Sequence, residues 1–227
     1  MNRIASFEVT APLGTQLIAD LRQRIITGVF PPGTRLSEQE IAATFGLSRQ
    51  PVREAFIKLA AERLIEIRPQ RGSYVRKIDL DDVAHAQFVR EAVEADIVRI
   101  AAETADTASV EDLRAQIVEQ KSRKASDPAA FFSLDEEFHR SLAAAAGRQG
   151  VWEHIQPIKM QMDRVRYLAT TSHRIDHLVE QHDAVVEAIA SRDAEAAEAA
   201  IRTHLKVVLN DLRTIATELP DYFHNKT

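Results

Sequence analysis

A segment over residues 37–59 has the pattern of two short helices joined by a tight turn. Ser37 precedes Glu40 by three residues, which is the spacing of a capping box at the start of a helix. Gly46 can end that helix, because glycine adopts the positive φ that such a turn requires. Ser48 then stands where it can cap a second helix. The segment therefore predicts a helix-turn-helix.

The second helix of this segment carries polar and basic residues at its N-terminal end. Its apolar residues recur at helical spacing and face inward, which leaves Arg49, Gln50, Arg53 and Glu54 facing outward. A helix fits the major groove of DNA, and arginine forms paired hydrogen bonds with guanine. Arg49 and Arg53 are therefore candidate DNA contacts. An ordinary helical hairpin with a solvated basic end is the alternative.

The flanking residues extend the helix-turn-helix into a larger predicted module. Apolar residues at helical spacing predict a helix over about residues 11–27, before the segment. After it, residues 64–68 and 73–76 look like two strands joined by a turn at 69–72. Three helices and a β-hairpin make a winged helix-turn-helix. The hairpin tip carries Arg71 and Gly72, which suit phosphates or a narrow minor groove, although Arg71 alone is equally compatible with a solvated turn.

Charge is distributed unevenly along the 227 residues. Residues 1–78 carry a net charge of +5 and residues 79–227 a net charge of −10. A basic segment suits a polyanion such as DNA, and an acidic one does not. We therefore expect two domains, a DNA-binding domain over 1–78 and a second domain over 79–227.

The composition excludes several classes of protein. The chain has no cysteine, which rules out disulfides and thiolate metal sites. No apolar run approaches the roughly 20 residues of a membrane span, and the N-terminal residues lack the apolar core of a signal peptide. A cytoplasmic protein without a membrane partner is the expectation.

The second domain has a helical pattern almost to its end, with no strand signal. We predict an all-α antiparallel bundle of about six helices, at about residues 80–105, 109–125, 128–146, 150–169, 174–191 and 194–218. The predicted fold is therefore mainly α, with a winged helix-turn-helix followed by a helical bundle.

Four polar residues are predicted to point into the interior of this bundle. Asp135 and His139 are four residues apart on an apolar helix face, and His182 and His204 lie among apolar residues of two other helices. One divalent transition ion per chain, Zn, Ni, Co, Fe or Mn, would satisfy all four side chains. Hydrogen-bonded core histidines and a surface Asp–His pair are the alternatives. His173 and His177 have the same spacing but polar neighbours.

No pattern of a catalytic site accompanies these ligands. The chain lacks H-E-x-x-H, a nucleophile motif and a glycine-rich phosphate loop. Glu136 and Glu137 directly follow Asp135, so we expect them to point away from its face. The sequence therefore favours a binding site over an enzyme.

The chain resembles the GntR family of bacterial transcription regulators, in its FadR-like subfamily with an FCD-type ligand domain. The resemblance covers nearly the whole chain. In the N-terminal part it rests on FPPGTRL at 30–36, SRQPVREA at 48–55 and RGSYV at 71–75. In the C-terminal part it rests on DEEFH at 135–139, QH at 181–182, AI at 188–189, RD at 192–193 and THL at 203–205.

The resemblance implies a homodimer that binds short palindromic operators, usually as a repressor, and a small carboxylic or sugar acid as effector. The family's metal ligands carry over onto Asp135, His139, His182 and His204. Its DNA contacts carry over onto Arg35, Arg49, Arg53 and Gly72, with Arg71 next to that glycine. Gln181 departs from the family pattern, which often has glutamate before the third ligand, and this change would alter how the surroundings of the ligands tune the metal.

The effector would need a cation besides the metal to bind its other oxygens. Arg90 is the candidate, because its spacing to Val93 and Ile97 places it near the apolar side of the first bundle helix. Arg164 and Arg166 are weaker candidates, and all three are also compatible with solvated positions. Two other functions stay open here: a metal-dependent enzyme with an appended DNA-binding module, and a structural DNA-binding dimer.

Overall fold

A computed structural model describes residues 12–123, 127–170 and 175–224 of the protein. These residues form two compact units. The first contains the described residues up to Leu80 together with those from Leu219 onward, and the second spans Asp81–Glu218. Within the described residues the fold is mainly helical, with nine α-helices and one small sheet, as the sequence predicted.

The N-terminal unit is a winged helix-turn-helix. Its elements are α1 (Leu13–Ile26), β1 (Arg35–Leu36), α2 (Glu38–Phe45), α3 (Arg49–Ala61), β2 (Ile65–Arg68) and β3 (Gly72–Val75). Leu17, Leu21, Val52 and Phe56 are among the residues that fill its apolar core.

The helix-turn-helix forms for the local reasons that its sequence indicates. The side chain of Ser37 accepts a hydrogen bond from the backbone N–H of Glu40 at 3.3 Å, which caps α2. Gly46 ends α2 with φ of +65°, in the left-handed region. Ser48 precedes α3 as predicted, but its side chain forms no capping hydrogen bond.

The sheet of this unit has three strands rather than the two that were predicted. Its order is β1-β3-β2, and both pairings are antiparallel. Arg35 lies opposite Tyr74, and Glu66 pairs with Tyr74 from the other side. The sequence missed β1 because two residues are too few for an alternating pattern to be recognised.

The second unit contains the six predicted helices. They are α4 (Leu80–Thr104), α5 (Thr107–Arg123), α6 (Pro128–Ala145), α7 (Gln149–Thr170), α8 (Ile175–Ala190) and α9 (Ala194–Glu218). Their ends lie within two residues of the prediction, and the predicted ends at 125 and 174 fall outside the described residues. Asp127 caps α6 by accepting from the backbone N–H groups of Ala129 and Ala130.

Residues 219–224, which follow α9, belong to the N-terminal unit and not to the bundle, although the sequence predicted that all of 79–227 form one domain. A 3₁₀ turn at Pro220–Tyr222 leads Phe223 beside Ile78. The backbone N–H of Ile78 donates to the carbonyl of Tyr222 at 2.8 Å, and that of His224 donates to the carbonyl of Ile78 at 3.0 Å. Phe223 is buried, so this segment contributes an apolar side chain to the protein interior.

The bundle packs around one large apolar cluster to which every one of its helices contributes. Phe131, Phe138, Trp152 and Ile189 are among its most buried members.

No helix in the described part of the chain combines the length and the apolar character needed to cross a membrane.

Candidate metal centre and nucleic-acid interface

The structure exposes the candidate DNA contacts of α3. Arg49 and Arg53 lie in its first two turns and face solvent, while the buried residues of the helix face the core. Arg49 is 71% exposed, and the one ion pair that it forms with a described residue is long, 3.3 Å from Nη2 to Oε2 of Glu38 in α2. These guanidinium groups are therefore available to a partner.

The other candidate DNA contacts lie in two parts of the wing, the sheet and the turn between β2 and β3. Arg35 of β1 lies against Gly72 of β3: a β-carbon at Gly72 would lie only 3.1 Å from Nε of Arg35. Gly72 also has φ of +105°, so a residue with a side chain would be strained there. Arg71 is exposed in the turn between β2 and β3, and its carbonyl accepts a hydrogen bond from the hydroxyl of Tyr74.

The four predicted metal ligands come together from three helices. Asp135 and His139 are on α6, His182 on α8 and His204 on α9, and all four are buried. One potential ligand atom from each lies within 4.8 Å of every other. Nε2 of His182 is 3.2 Å from Nε2 of His204 and 3.2 Å from Oδ1 of Asp135. Nε2 of His139 is 3.3 Å from Nε2 of His204 and 3.7 Å from Oδ1 of Asp135.

Of the alternative ligands, His177 lies on the exposed surface of α8. His173 lies outside the described residues.

The outer nitrogen of each imidazole faces an oxygen. Nδ1 of His182 is 2.8 Å from Oε1 of Gln120, and the amide nitrogen of Gln120 donates to the carbonyl of Leu134, which orients this amide. Nδ1 of His204 is 3.2 Å from Oε1 of Gln181. Nδ1 of His139 is 2.6 Å from Oε2 of Glu94, at an angle outside strict hydrogen-bond limits.

These outer contacts test whether the residues fit a metal ion. Oxygens that face Nδ1 favour a proton on that nitrogen, which leaves the lone pairs of the three Nε2 atoms directed at one another and at a carboxylate. Such a set repels itself unless a cation lies between its members. Ligands about 2.1 Å from one ion are about 3.0 to 3.4 Å apart at octahedral or tetrahedral angles, close to the distances observed. The residues therefore fit a transition-metal ion.

The electrostatics of the cluster favour the protonation states that a metal requires. Burial lowers the pKa of His139 below its usual value and that of His204 well below it, so both imidazoles are neutral near pH 7. Burial opposes the charge of Asp135, but Arg166 and the neighbouring histidines outweigh it and hold the pKa of this carboxyl well below its usual value. Neutral imidazoles and an ionised carboxylate are the forms that bind metal.

A buried ion-pair network adjoins the cluster, and the sequence did not predict it. Arg166 of α7 donates to Asp135, to Oε1 of Glu136 at 2.5 Å and to Oδ1 of Asp163 at 2.7 Å. Nζ of Lys159 is 2.5 Å from Oε2 of Glu136 and 2.5 Å from Oδ2 of Asp163. Burial opposes the charge of Glu136, but Lys159 and Arg166 lower the pKa of its carboxyl to about 2.

One expectation about this region was wrong, and one alternative is excluded. Glu136 does not point away from the site, because Arg166 bridges it to Asp135. Arg90, Arg164 and Arg166 are buried rather than solvated. Each of these buried side chains has an oppositely charged or polar partner on its own helix or on a neighbouring one. Such partners replace water and so make burial of the side chain possible.

Comparison with known proteins supports both units. The model of the bacterial regulatory proteins of the gntR family matches residues 13–75, and that of the FCD domain matches residues 86–207. The HTH-type transcriptional repressor RspR of Escherichia coli K12 is 40% identical over 223 residues, which cover 94% of this chain and 95% of that protein. The chain belongs to the GntR family. This GntR-family protein is a transcription regulator with an FCD domain, and its relatives are regulators rather than enzymes, as the sequence predicted.

Further relatives agree with this assignment. The probable D-xylose utilization operon transcriptional repressor of Paenarthrobacter nicotinovorans is 31% identical and covers 82% of each chain. A solved GntR structure from Rhodococcus sp. RHA1 has a TM-score of 0.72 at 27% identity, covering 88% of this chain and 97% of the other. McbR/YncC of E. coli has a TM-score of 0.77 at 17% identity, covering 92% and 99%, and supports the fold alone.

The two matched parts of this GntR-family regulator separate the two candidate sites. The GntR part contains all the candidate DNA contacts, and the FCD part contains all the candidate metal ligands. Sequence reasoning missed Glu94 and Gln120, which face the outer nitrogens of two ligands. Glu94 lies four residues after Arg90, a spacing that indicates an ion pair and that could have revealed it. The sequence around Gln120 has no comparable spacing that could have indicated its contact with His182.

Proposed function

We propose that this GntR-family regulator is a repressor that leaves its operator when a small carboxylic or sugar acid binds at a metal centre in the bundle. The repressor sense is supported by the names of two relatives, RspR and the probable D-xylose operon repressor. The metal and effector are supported by the geometry of the buried cluster, and the DNA contacts by the exposed arginines of α3 and the wing.

The observation that carries the metal centre is that Asp135, His139, His182 and His204 each bring one potential ligand atom within 4.8 Å of the other three. Asp135, His139, His182 and His204 would hold one divalent ion per chain, namely Zn, Ni, Mn, Co or Fe. The bound ion would supply a Lewis-acidic positive charge at which the carboxylate of an effector can bind. The surrounding residues of the protein favour neutral imidazoles and an ionised Asp135, and they exclude water from around these four side chains.

Arg90 is the proposed second contact of the effector. Its side chain is buried, its Nε donates to Oε1 of Glu94, and its Nη2 has no hydrogen-bond partner among the described residues. A buried guanidinium N–H without an acceptor is costly. An effector carboxylate would supply that acceptor through a charge-assisted bond. Arg166, by contrast, is already bound to three carboxylates.

The proposed DNA interface consists of Arg35, Arg49, Arg53, Arg71 and Gly72. Arg49 and Arg53 would read base edges in the major groove, and the wing would contact phosphate or the minor groove. A winged helix of this size reads a half-site, so we propose a homodimer on a palindromic operator. Binding to chromosomal operators would place the protein in the cytoplasm.

Helix α4 is the proposed connection between the two sites. It carries Arg90 and Glu94, and it begins at Leu80, the residue after which the chain passes from the N-terminal unit into the bundle. A change in its packing on effector binding would alter the spacing of the two DNA-binding units in a dimer. A coupling free energy of about 1–3 kcal/mol is enough to change operator affinity about 5–150-fold.

The experiment begins with a thermal-shift screen of mono-, di- and tricarboxylic acids and sugar acids on metal-loaded protein. A ligand that binds only the folded state raises its melting temperature. Operator DNA is then titrated with and without the acid that gives the largest shift, using metal-loaded and chelated protein. We expect the acid to weaken DNA binding about 5–150-fold in the loaded protein only. Chelation alone should leave operator affinity nearly unchanged.

Two outcomes would contradict the proposal at different points. An equal effector response in loaded and chelated protein would overturn the role of the metal. A wild-type protein that binds neither metal nor any acid would favour a structural DNA-binding dimer. An Arg90→Gln variant that responds as the wild type does would remove Arg90 from the effector site.

A further inference from the structure

The three histidines of the proposed metal centre differ in what faces their outer nitrogens. Two of these partners are neutral amides and one is a carboxylate. The pairs are His182 with Gln120, His204 with Gln181, and His139 with Glu94. The contact to the carboxylate, at 2.6 Å, is the shortest of the three.

Glu94 is held firmly in this position. It is 2% exposed, and its second oxygen accepts from Nε of Arg90, which is 1% exposed and lies one helical turn earlier in α4. With one oxygen bound to Arg90 and the other facing His139, the carboxylate cannot rotate without losing a contact. Arg90 therefore fixes the orientation of Glu94, and Glu94 fixes the ring of His139.

A carboxylate and an amide affect an imidazole differently. Both keep the proton on Nδ1, but the negative charge of a carboxylate also raises the basicity of Nε2, the nitrogen that binds the metal. We infer that Glu94, held by Arg90, is the positioning residue that contributes most to metal affinity among the outer partners of the three histidines. This inference rests on the proposed metal centre.

The position of Glu94 has a consequence for regulation. Helix α4 supplies none of the four ligands, which come from α6, α8 and α9. Glu94 gives this helix a direct contact with the ligand set. Metal loading would therefore strengthen the attachment of α4, the helix that is continuous in the chain with the DNA-binding unit.

The test compares metal affinity in Glu94→Gln and Glu91→Gln. Glu94→Gln keeps the shape of the side chain and removes its charge. Glu91 is the matched control: it lies on the same helix, its carboxylate is 3.0 Å from Nη1 of Arg202, and it has no hydrogen bond or ion pair with the four candidate metal ligands among the described residues. Zn²⁺ affinity is measured by competition with a chromophoric chelator. We expect Glu94→Gln to bind about 10–100-fold more weakly, and Glu91→Gln to bind as the wild type does.

A second variant separates positioning from simple loss of folding. Glu94→Gln leaves the buried charge of Arg90 unpaired, whereas the double variant Arg90→Gln/Glu94→Gln leaves no unpaired charge. The double variant should also bind Zn²⁺ about 10–100-fold more weakly while its metal-free form melts cooperatively. The visible absorption of the Co²⁺-loaded protein should change in both variants, because the ligand field of His139 changes. Recovery of wild-type affinity in the double variant would overturn the inference, since the unpaired arginine would then explain the loss.

The wild-type measurement distinguishes this inference from the proposal on which it rests. A wild-type protein that binds no stoichiometric Zn²⁺ or Co²⁺ would contradict the metal centre itself. Stoichiometric binding by the wild type and equally tight binding by Glu94→Gln would leave the metal centre standing and overturn only the role of Glu94.

Discussion

The two units of this regulator place their candidate functional residues in opposite environments. Among the described residues of the N-terminal unit, only Glu62 and Ser73 are buried polar side chains, and the candidate DNA contacts Arg49, Arg53 and Arg71 are exposed. The described part of the bundle buries thirteen polar or charged side chains, and they include all four candidate metal ligands. In the first unit folding and function therefore depend on different residues, whereas in the bundle they depend on the same ones.

This difference follows from what each unit is proposed to bind. A duplex is too large to enclose, so its contacts lie on a surface and the core beneath them can be entirely apolar. A metal ion and a small acid can be enclosed, and low-dielectric surroundings strengthen their electrostatic contacts. The enclosed charges must then be paired, since unpaired buried charges are costly. Arg166 and Lys159 provide that pairing for three carboxylates beside the site.

The largest expected effect is therefore on folding, and it lies in the bundle. Arg166→Met keeps much of the side-chain volume but leaves Asp135, Glu136 and Asp163 with less compensating charge. Removing one partner of a buried ion pair typically costs about 3–5 kcal/mol, and we expect a loss of that size in the free energy of unfolding. Urea denaturation of the chelated protein measures it.

Arg140→Met is the control for that change. Arg140 pairs with Glu137 at 2.9 Å on the exposed side of α6, so its replacement should cost at most about 1 kcal/mol. Similar losses in Arg166→Met and Arg140→Met would show that the buried network does not stabilise the bundle.

The second prediction concerns the metal ligands. His182→Ala and His204→Ala should lower the metal content from about one ion per chain, and they should abolish the stabilisation that the metal provides. At a free ion concentration 100 times the dissociation constant, that stabilisation is about 2.7 kcal/mol. Elemental analysis and melting curves with and without chelator give both quantities. Operator binding without effector should persist, because the candidate DNA contacts belong to the other unit.

A matched variant of the exposed histidine on the same helix sharpens this prediction. His177→Ala should keep the wild-type metal content, because His177 is exposed and lies outside the cluster. Full metal content in both His182→Ala and His204→Ala would place the ligands elsewhere.

Features that depend on residues close together in the chain could be predicted from the sequence, whereas contacts between distant residues could not. Helical periodicity gave the six bundle helices, and the four-residue spacing of Asp135 and His139 placed both on one inward face. The pairing of Arg166 with Asp135 joins residues 31 apart on different helices, and periodicity carries no information about such a contact. The return of Phe223 to Ile78 was missed for the same reason.

The third prediction belongs to the unit in which folding and function are separate. Arg49→Ala or Arg53→Ala should weaken specific operator binding by about 1–3 kcal/mol if the residue forms a paired contact with a base. The unfolding free energy should hardly change, because both side chains are exposed. Fluorescence anisotropy with labelled operator DNA and denaturation curves measure the two effects on the same samples. Unchanged operator affinity in both variants would remove α3 as the recognition helix.

The smallest expected effect is at the wing, and it differs in kind from that of α3. Arg71 lies in an exposed turn, and its backbone carbonyl accepts a hydrogen bond from the hydroxyl of Tyr74. The guanidinium of Arg71 can therefore contact a phosphate without any change in the fold. A phosphate contact carries no base specificity, and each one releases counterions from the duplex. Arg71→Ala should therefore weaken binding to operator and unrelated DNA alike, and reduce the slope of log affinity against log salt by about 1. Titrations at several salt concentrations, with Arg49→Ala as the comparison, measure this. A loss confined to the operator, with an unchanged salt slope, would instead assign Arg71 to base readout in the minor groove.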